Sequence, residues 1–471
     1  MKSRILPPLI VVAALLAASQ VHARSYLLVG NGNKLPAKLE AAVASAGGTV
    51  TRSLPQIGVA GVESSSGQFQ AAAGKIAGLE AVLPDAQWKT TLPDNFEAAA
   101  LDDATADSHT TVFVDGFARL QWGLDAVDAA GAWQAGQFGA GVRVAVLDSG
   151  IASGHIDIAP NLNTALSTSF VPGEAYNFTG TGFNHGTHVA GIIASAANGV
   201  GTLGVAPRAE LVAVKVLSAV TGSGSFGGII SGIVYAADID ADVISMSLGA
   251  EFPRSGYIDD NGTPADPSDD VKVGANELTG LINAVNRATT YAYQHGSTVI
   301  VAAGNSGIDR DHDGSYYVVP ADSSHVISIS ATAPIGWARA QSTTFLDNLA
   351  SYSNYGQSRI SFAAPGGDFV YPGTDTSVVA GILRPTWVFD LVFSPGNRVG
   401  PSNRYFWAAG TSMAAPHASG VAAIIIGRNG GSMKPAAVEA ALRASADDLG
   451  KPGNDDAYGA GRVNAGRAAT Q

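Results

Sequence analysis

A chain of 471 residues, 46% hydrophobic and only 14% charged, has room for one large domain and a smaller one, and carries too much apolar material to stay disordered. Its net charge of −12 argues against non-specific nucleic-acid binding. The absence of cysteine excludes a thiol nucleophile, a disulfide framework and a cysteine-ligated zinc site.

At the N-terminus, Lys2 and Arg4 precede an apolar run from Leu9 to Ala18, and Val21-His22-Ala23 ends it with small residues at cleavage-site spacing. The pattern predicts a signal peptide over residues 1–23. The run is too short to cross a bilayer as a helix, and no later segment is long enough. The expected product is secreted or periplasmic, with no membrane attachment after signal removal.

Residues 25–86 read as a small unit. "SYLLVG", "GTVTRSL", "IGVAGVES" and "EAVLPDA" have strand character, while "LPAKLEAAVASAG" and "GQFQAAAGKIAGL" are helical. The order β-α-β-β-α-β is that of a split βαβ fold. The polar, acidic stretch that follows reads as a linker. The domain boundaries are set at 24–92 for the small α+β unit, 93–116 for the linker and 117–471 for the rest.

Beyond Gln121 the pattern changes. "VRVAVL", "LVAVKVL", "DVISMSL", "STVIVAAG", "VISISAT" and "RISFAAPG" are short β-branched runs, suited to strands buried on both faces. "HVAGIIASAA", "GGIISGIVYAADI" and "LTGLINAVNRATTYAYQHG" alternate with them as helices. This alternation predicts a three-layer α/β domain built on a parallel sheet, with its chemistry at the carboxyl ends of the strands.

Three residues stand at such ends. Asp148 follows the strand "VRVAVL", His185 opens the helix of "NHGTHVAGIIA", and Ser412 opens the helix of "AAGTSMAAPH". Taken singly, each has a plain reading: a turn cap, a polar helix start, and an N-cap with Pro416 in the first helical turn. His185 and His188 also have metal-ligand spacing, but no HExxH pattern accompanies them. Taken together, a carboxylate, an imidazole and a hydroxyl are the parts of a nucleophilic triad. An α/β-hydrolase would need the order Ser…Asp…His and a glycine where Ala414 stands.

"VAVLDSGI", "HGTHVAG" and "GTSMAAPH" resemble the three signature blocks of the subtilisin-like serine proteases, in that family's order of Asp, His and Ser. The resemblance runs from about Phe117 to the C-terminus. It implies a secreted endopeptidase in which Asp148 orients the imidazole, His185 is the general base and Ser412 the nucleophile. His188 would be structural. Asn305, in "VIVAAGNSG", would donate to the oxyanion. Gly222-Ser223-Gly224 and Ser247-Leu248-Gly249 would flank an extended peptide or protein substrate, and Ala303-Gly304 with the 309–320 loop would bound its specificity pocket. Calcium is implied as a structural cofactor, held by Asp157, Asn198 and the carbonyls of Ala196, Val200 and Thr202, although Ala118 stands where the family has an amide ligand. No cofactor is implied for catalysis. The 24–92 unit resembles the inhibitory prodomain of secreted subtilases, which makes the chain a self-processed zymogen and the prodomain its own intramolecular inhibitor. The enzyme is expected to act as a monomer.

Several segments depart from this pattern. "GVGTLG" at 199–204 satisfies GxGxxG but follows a helix, so it is no dinucleotide fingerprint. Asp309, Asp311 and Asp313 are spaced like the start of a calcium loop, with Pro320 in place of the closing glutamate; a solvated acidic turn explains them equally well. Val318 falls where the family often has a small pocket-floor residue. The insertions 251–277 and 368–404 have no role legible in the sequence.

Overall fold

The computed structural model describes residues 23–89, 100–102, 116–260, 265, 267 and 270–471. The signal-peptide reading therefore falls almost wholly outside the described residues.

The N-terminal unit follows the order expected of it: β1 (Arg24–Gly30), α1 (Leu39–Ser45), β2 (Thr49–Leu54), β3 (Val59–Ser64), α2 (Phe69–Ala73) and β4 (Leu79–Pro84). Its sheet is antiparallel, in the order β2-β3-β1-β4. Strand alternation splits its side chains between two cores. Tyr26, Leu28, Ala60 and Val62 pack on the unit's own helices with Phe69. Leu27, Val29, Val59 and Leu83 face the other way and join the core of the large domain.

Two short strands follow, β5 (Gln87–Lys89) and β6 (Ala100–Asp102). The second lies inside the stretch read as a linker. Three residues carry no readable periodicity, and its partner lies far along the chain.

The large domain begins with α3 (Trp122–Ala126), α4 (Ala129–Gln134), β7 (Arg143–Asp148), β8 (Thr168–Ser169), α5 (His185–Ala194), β9 (Glu210–Lys215), β10 (Ser223–Ser225), α6 (Phe226–Asp238) and β11 (Val243–Met246). The first insertion supplies β12 (Ala250–Pro253), β13 (Gly256–Asp259) and β14 (Val271–Gly274). Then come α7 (Ala275–Gln294), β15 (Thr298–Ala302), β16 (Tyr316–Val319), β17 (Val326–Ala333), β18 (Asn348–Leu349) and β19 (Phe362–Pro365). The second insertion contributes two hairpins, β20 (Thr376–Val379) with β21 (Ile382–Pro385), and β22 (Val392–Val399) with β23 (Ser402–Ala408). The chain closes with α8 (Thr411–Arg428), α9 (Pro435–Ser445) and α10 (Ala465–Thr470).

The central sheet has the order β18-β17-β15-β11-β7-β9-β8, with β19 also on β17. Every pair is parallel except β17–β18. Alternation again sorts the strands between two layers. Val144, Val146, Ala213 and Ile300 face α5 and α8, while Ala145, Leu147, Val214 and Val301 face α6 and α7. Fully burying each such aliphatic chain contributes about 1.5–3 kcal/mol, which is why these runs lack alternating polarity. β7 has β9 on one side and β11 on the other, so the order of succession reverses at its carboxyl end, where open sheets bind ligands.

Candidate active site

Asp148 is the last residue of β7, and Ser149 turns the chain out of the sheet. The Ser149 hydroxyl accepts from Asn184 Nδ2 and from the Gly186 N–H, both at 3.1 Å. Asn184 caps α5 in turn, accepting the Thr187 N–H at 2.8 Å. These contacts fix the start of α5 against the end of β7. Gly186 permits the approach, since a Cβ there would stand 2.3 Å from the Gly150 carbonyl oxygen. His185 Nδ1 thereby lies 2.9 Å from both Asp148 oxygens. Asp148 also accepts the Ser149 N–H at 2.6 Å.

Val146 pairs with Ser245, so Asp148 and Ser247 end neighbouring strands side by side. Ser247 in turn carries the start of α8: its hydroxyl donates to the Ser412 carbonyl at 2.7 Å, and the Ser412 hydroxyl donates to the Ser247 carbonyl at 3.3 Å. Two readings from the sequence are corrected here. Gly410 is the N-cap of α8, and Ser412 is its second residue and makes no side-chain cap. Pro416 sits in the second turn, not the first. Lacking an N–H, it leaves the carbonyl four residues back without a helical donor. That carbonyl belongs to Ser412, and Ser247 takes it. The proline thus frees the group by which the serine-bearing turn is tied to β11.

Ser412 Oγ and His185 Nε2 are not hydrogen-bonded to each other; Nε2 is buried and makes no hydrogen bond. A nucleophile–base contact of this kind commonly tightens only once substrate is bound. His188 and His417 are also buried. Burial pushes their imidazoles down to about 3 and about 4, and they face the Phe406 and Met413 carbonyls. Both are neutral structural residues.

Asn305 follows β15, on the other flank of β11. Its Oδ1 accepts the N–H and the hydroxyl of Thr411, each at 2.8 Å. The Thr411 hydroxyl accepts the Gly304 N–H at 3.1 Å. With Oδ1 so held, Asn305 Nδ2 lies on the side of Gly410 and Ser412, 3.7 Å from where a Gly410 Cβ would stand. Thr411, Ser149, Asn184 and Pro416 were missed as site-building residues, although Ser149, Asn184 and Thr411 each adjoin a triad residue and can hydrogen-bond.

A pocket beside Ser412 is walled by Leu248, Gly249, Glu251, Gly304, Asn305 and Val318. Ala303 does not line it; it is buried behind, with its carbonyl held by Asn354 Nδ2 at 3.0 Å. Ser223 and Gly224 lie on β10 and Gly222 just before it. That edge carries the chain's own β5, antiparallel, with Gly224 opposite Trp88 and Ser223 opposite Lys89. Trp88 is buried, with its ring centroid 4.8 Å from that of Phe226 and 6.0 Å from that of Phe252.

Asp157 is buried. Its Oδ2 accepts the N–H and hydroxyl of Thr202 at 2.8 and 2.9 Å, and the side chains of Tyr405 and Asn198 also face the carboxyl. Burial pushes this carboxyl up to about 7 despite the Thr202 bonds. A buried carboxylate oxygen of this kind, beside the 196–202 loop, fits a hard cation with oxygen ligands. Asn198 is in place in that loop, its Oδ1 accepting the Val200 N–H at 3.0 Å. Asp309, Asp311 and Asp313 are not brought together on one point. Asp309 takes the Asp311 N–H and His312, Asp311 takes Ser358, and Asp313 takes the Ser315 N–H. Alternate spacing here makes successive turn-closing bonds. Among the described residues, no three carboxylate or imidazole groups converge on a metal position.

An aspartate–imidazole pair and a helix-borne serine, at the carboxyl ends of a parallel sheet, define a serine hydrolase of α/β architecture. The sequence profile of the subtilase family matches residues 139–461, and the chain belongs to that family of serine proteases. M-protease of Shouchella clausii (strain KSM-K16) is 34% identical over 380 residues, covering 80% of this chain and 77% of that protein. Subtilisin Savinase of Lederbergia lenta is 35% identical over 352 residues, covering 75% and 99%. Among solved structures, the epidermin leader peptide processing serine protease EpiP of Staphylococcus aureus shares the fold with a TM-score of 0.70 at 22% identity, covering 95% of this chain and 98% of that one. Among the described residues, no helix is long and apolar enough to cross a membrane.

Proposed function

We propose that the chain is an exported endopeptidase, made as a zymogen and acting through Asp148, His185 and Ser412. The observation that carries this reading is the contact of His185 Nδ1 with both Asp148 oxygens, next to the strand end that holds Ser412. In the proposed reaction His185 Nε2 takes the proton of Ser412 Oγ as the oxygen attacks the scissile carbonyl. Asp148 stabilises the imidazolium and fixes its tautomer. Asn305 Nδ2 and the Ser412 backbone N–H receive the oxyanion. The imidazolium then protonates the leaving amine, and the same base activates water to release the acyl group.

The N-terminal unit is the proposed inhibitor. Three features support this: β5 occupies the β10 edge assigned to substrate, Trp88 fills an aromatic recess, and Asp85 accepts the Gly227 N–H at the start of α6 at 2.7 Å. Extended pairing of this kind binds main chain and tolerates many sequences. Calcium, where bound, would be held by Asp157, Asn198 and the carbonyls of Ala196, Val200 and Thr202, and would brace the loop without entering the chemistry. Export and a monomeric state complete the reading.

The test is the Ser412→Ala precursor, purified from a host lacking other proteases. It is expected to remain full length and inactive while the wild-type chain divides. A mature-sized Ser412→Ala product would overturn self-processing.

A further inference from the structure

The second insertion ends in a hairpin that rests on the histidine helix. Gly396 accepts the Asn184 N–H at 2.9 Å, and the Ser394 hydroxyl donates to the His188 carbonyl at 2.8 Å. The Phe183 ring stands between, with its centroid 6.5 Å from that of His185 and 5.4 Å from that of Phe406. β22 covers one edge of β23. The other edge is paired with β6, antiparallel, with Ala100 opposite Phe406, Leu101 opposite Tyr405 and Asp102 opposite Arg404.

The chain therefore touches two edges on its way out of the N-terminal unit. β5 leaves it at Lys89 on the β10 edge, and β6 resumes at Ala100 opposite Phe406, whose ring is linked to His185 through that of Phe183. Where the chain is next described, it is on the same hairpin again. The Phe117 ring lies 5.1 Å from that of Tyr405 and 5.7 Å from that of Phe393. Asp102 and Phe117 thus both lie against β22–β23.

We infer that the β23 edge is a permanent docking site for the chain's own 100–102 strand, which stays with the mature enzyme as an N-terminal arm. This rests on the zymogen reading and places the processing cut upstream of Ala100. Two physical points carry the inference. A bare β23 would expose unpaired N–H and C=O groups along an edge that contains Tyr405, Phe406 and Trp407, the kind of edge that proteins cover to avoid pairing with other chains. Three residues also make too few hydrogen bonds to hold a free peptide. A tether to Phe117 keeps them at an effective concentration on the order of millimolar. A cut beyond Asp102 would remove that tether and strip the edge at maturation.

The experiment is intact-mass and N-terminal sequencing of the self-processed wild-type enzyme, joined to hydrogen exchange at residues 403–407. The expected first residue is Ala100 or one before it. The expected exchange at the β23 edge is slow in the mature enzyme and at least tenfold faster in Leu101→Pro, which removes an N–H from the arm. A first residue beyond Ala100 overturns the proposal. So does an edge that exchanges equally fast in the wild type and in Leu101→Pro. Sequencing needs no variant, so the proposal stays exposed even if Leu101→Pro does not accumulate. Cleavage that is independent of Ser412 would instead sink the zymogen reading, whatever the position of the cut.

Discussion

Thr411 holds Asn305 by two donors at once, backbone and hydroxyl, each 2.8 Å from the amide oxygen. The amide nitrogen is thereby left on the side of Ser412. Asn305→Asp keeps the acceptor that Thr411 needs but replaces the facing donor with a second acceptor. A fall in kcat of about a hundredfold or more is expected, with KM nearly unchanged, as for an interaction made only in the transition state. Near-native kcat would make Asn305 a turn residue. Thr411→Val, which loses the hydroxyl but keeps the backbone N–H, is expected to show a weaker fall in the same parameter.

Val318 closes the pocket beside Ser412 and is 1% exposed. On the proposed reading this pocket takes the residue before the cleaved bond, and its β-branched wall is expected to favour a small one. Val318→Gly is expected to raise kcat/KM for substrates with phenylalanine there, relative to alanine, by about tenfold, the scale of a few methylenes in an apolar pocket. Matched chromogenic peptides measure this ratio. An unchanged ratio would place the specificity wall elsewhere.

Calcium is expected to act on stability before rate, because Asp157 holds the loop after α5 through Thr202 and takes no part in the serine site. Binding only to the folded state adds about 2.7 kcal/mol at a hundredfold excess over Kd. The melting temperature should therefore rise with free calcium, while the initial rate at low temperature stays flat. Identical melting curves with calcium and with chelator would remove the metal from this loop.

Asp390 ties the second insertion to the turn that follows β17 through the Gly336 and Trp337 N–H groups, at 2.7 and 2.8 Å. Burial raises its carboxyl from an ordinary 3.8 to about 7, with Asp368 adding to the rise. The sign follows from linkage. Below about pH 4 the group is neutral in both states and its contribution is intact. As pH climbs, the unfolded chain ionises first and is favoured, and the contribution is lost by the time pH passes about 7. Asp390→Asn mimics the neutral form. Its melting temperature is expected to vary less than that of the wild type between pH 5 and pH 8, and an equal slope would contradict the assignment.

Much of the site was legible in the sequence because a strand end and a helix start are local events. Asp148 directly follows a β-branched run, and His185 and Ser412 stand at the head of apolar helices. What stayed hidden depends on distant pairing. Trp88 and Leu101 lie in strands of three residues, too short to show a period, and their partners Gly224 and Tyr405 are set by the tertiary fold. Pro416 reads as a first-turn residue until its place in α8 is known, and only then does Ser247 appear as the donor to the carbonyl it frees. Asp309, Asp311 and Asp313 mislead for the opposite reason: the spacing of a cation loop is also that of consecutive turns.

The most direct test of the account is labelling of the mature enzyme by a fluorophosphonate, followed by peptide mapping. The reagent needs an activated serine, a base and an oxyanion site, so it reports all three proposed roles in one adduct. The account predicts a single adduct on Ser412, with labelling abolished in His185→Ala and slowed in Asn305→Asp. An adduct on another serine, or labelling at the wild-type rate in His185→Ala, would contradict it.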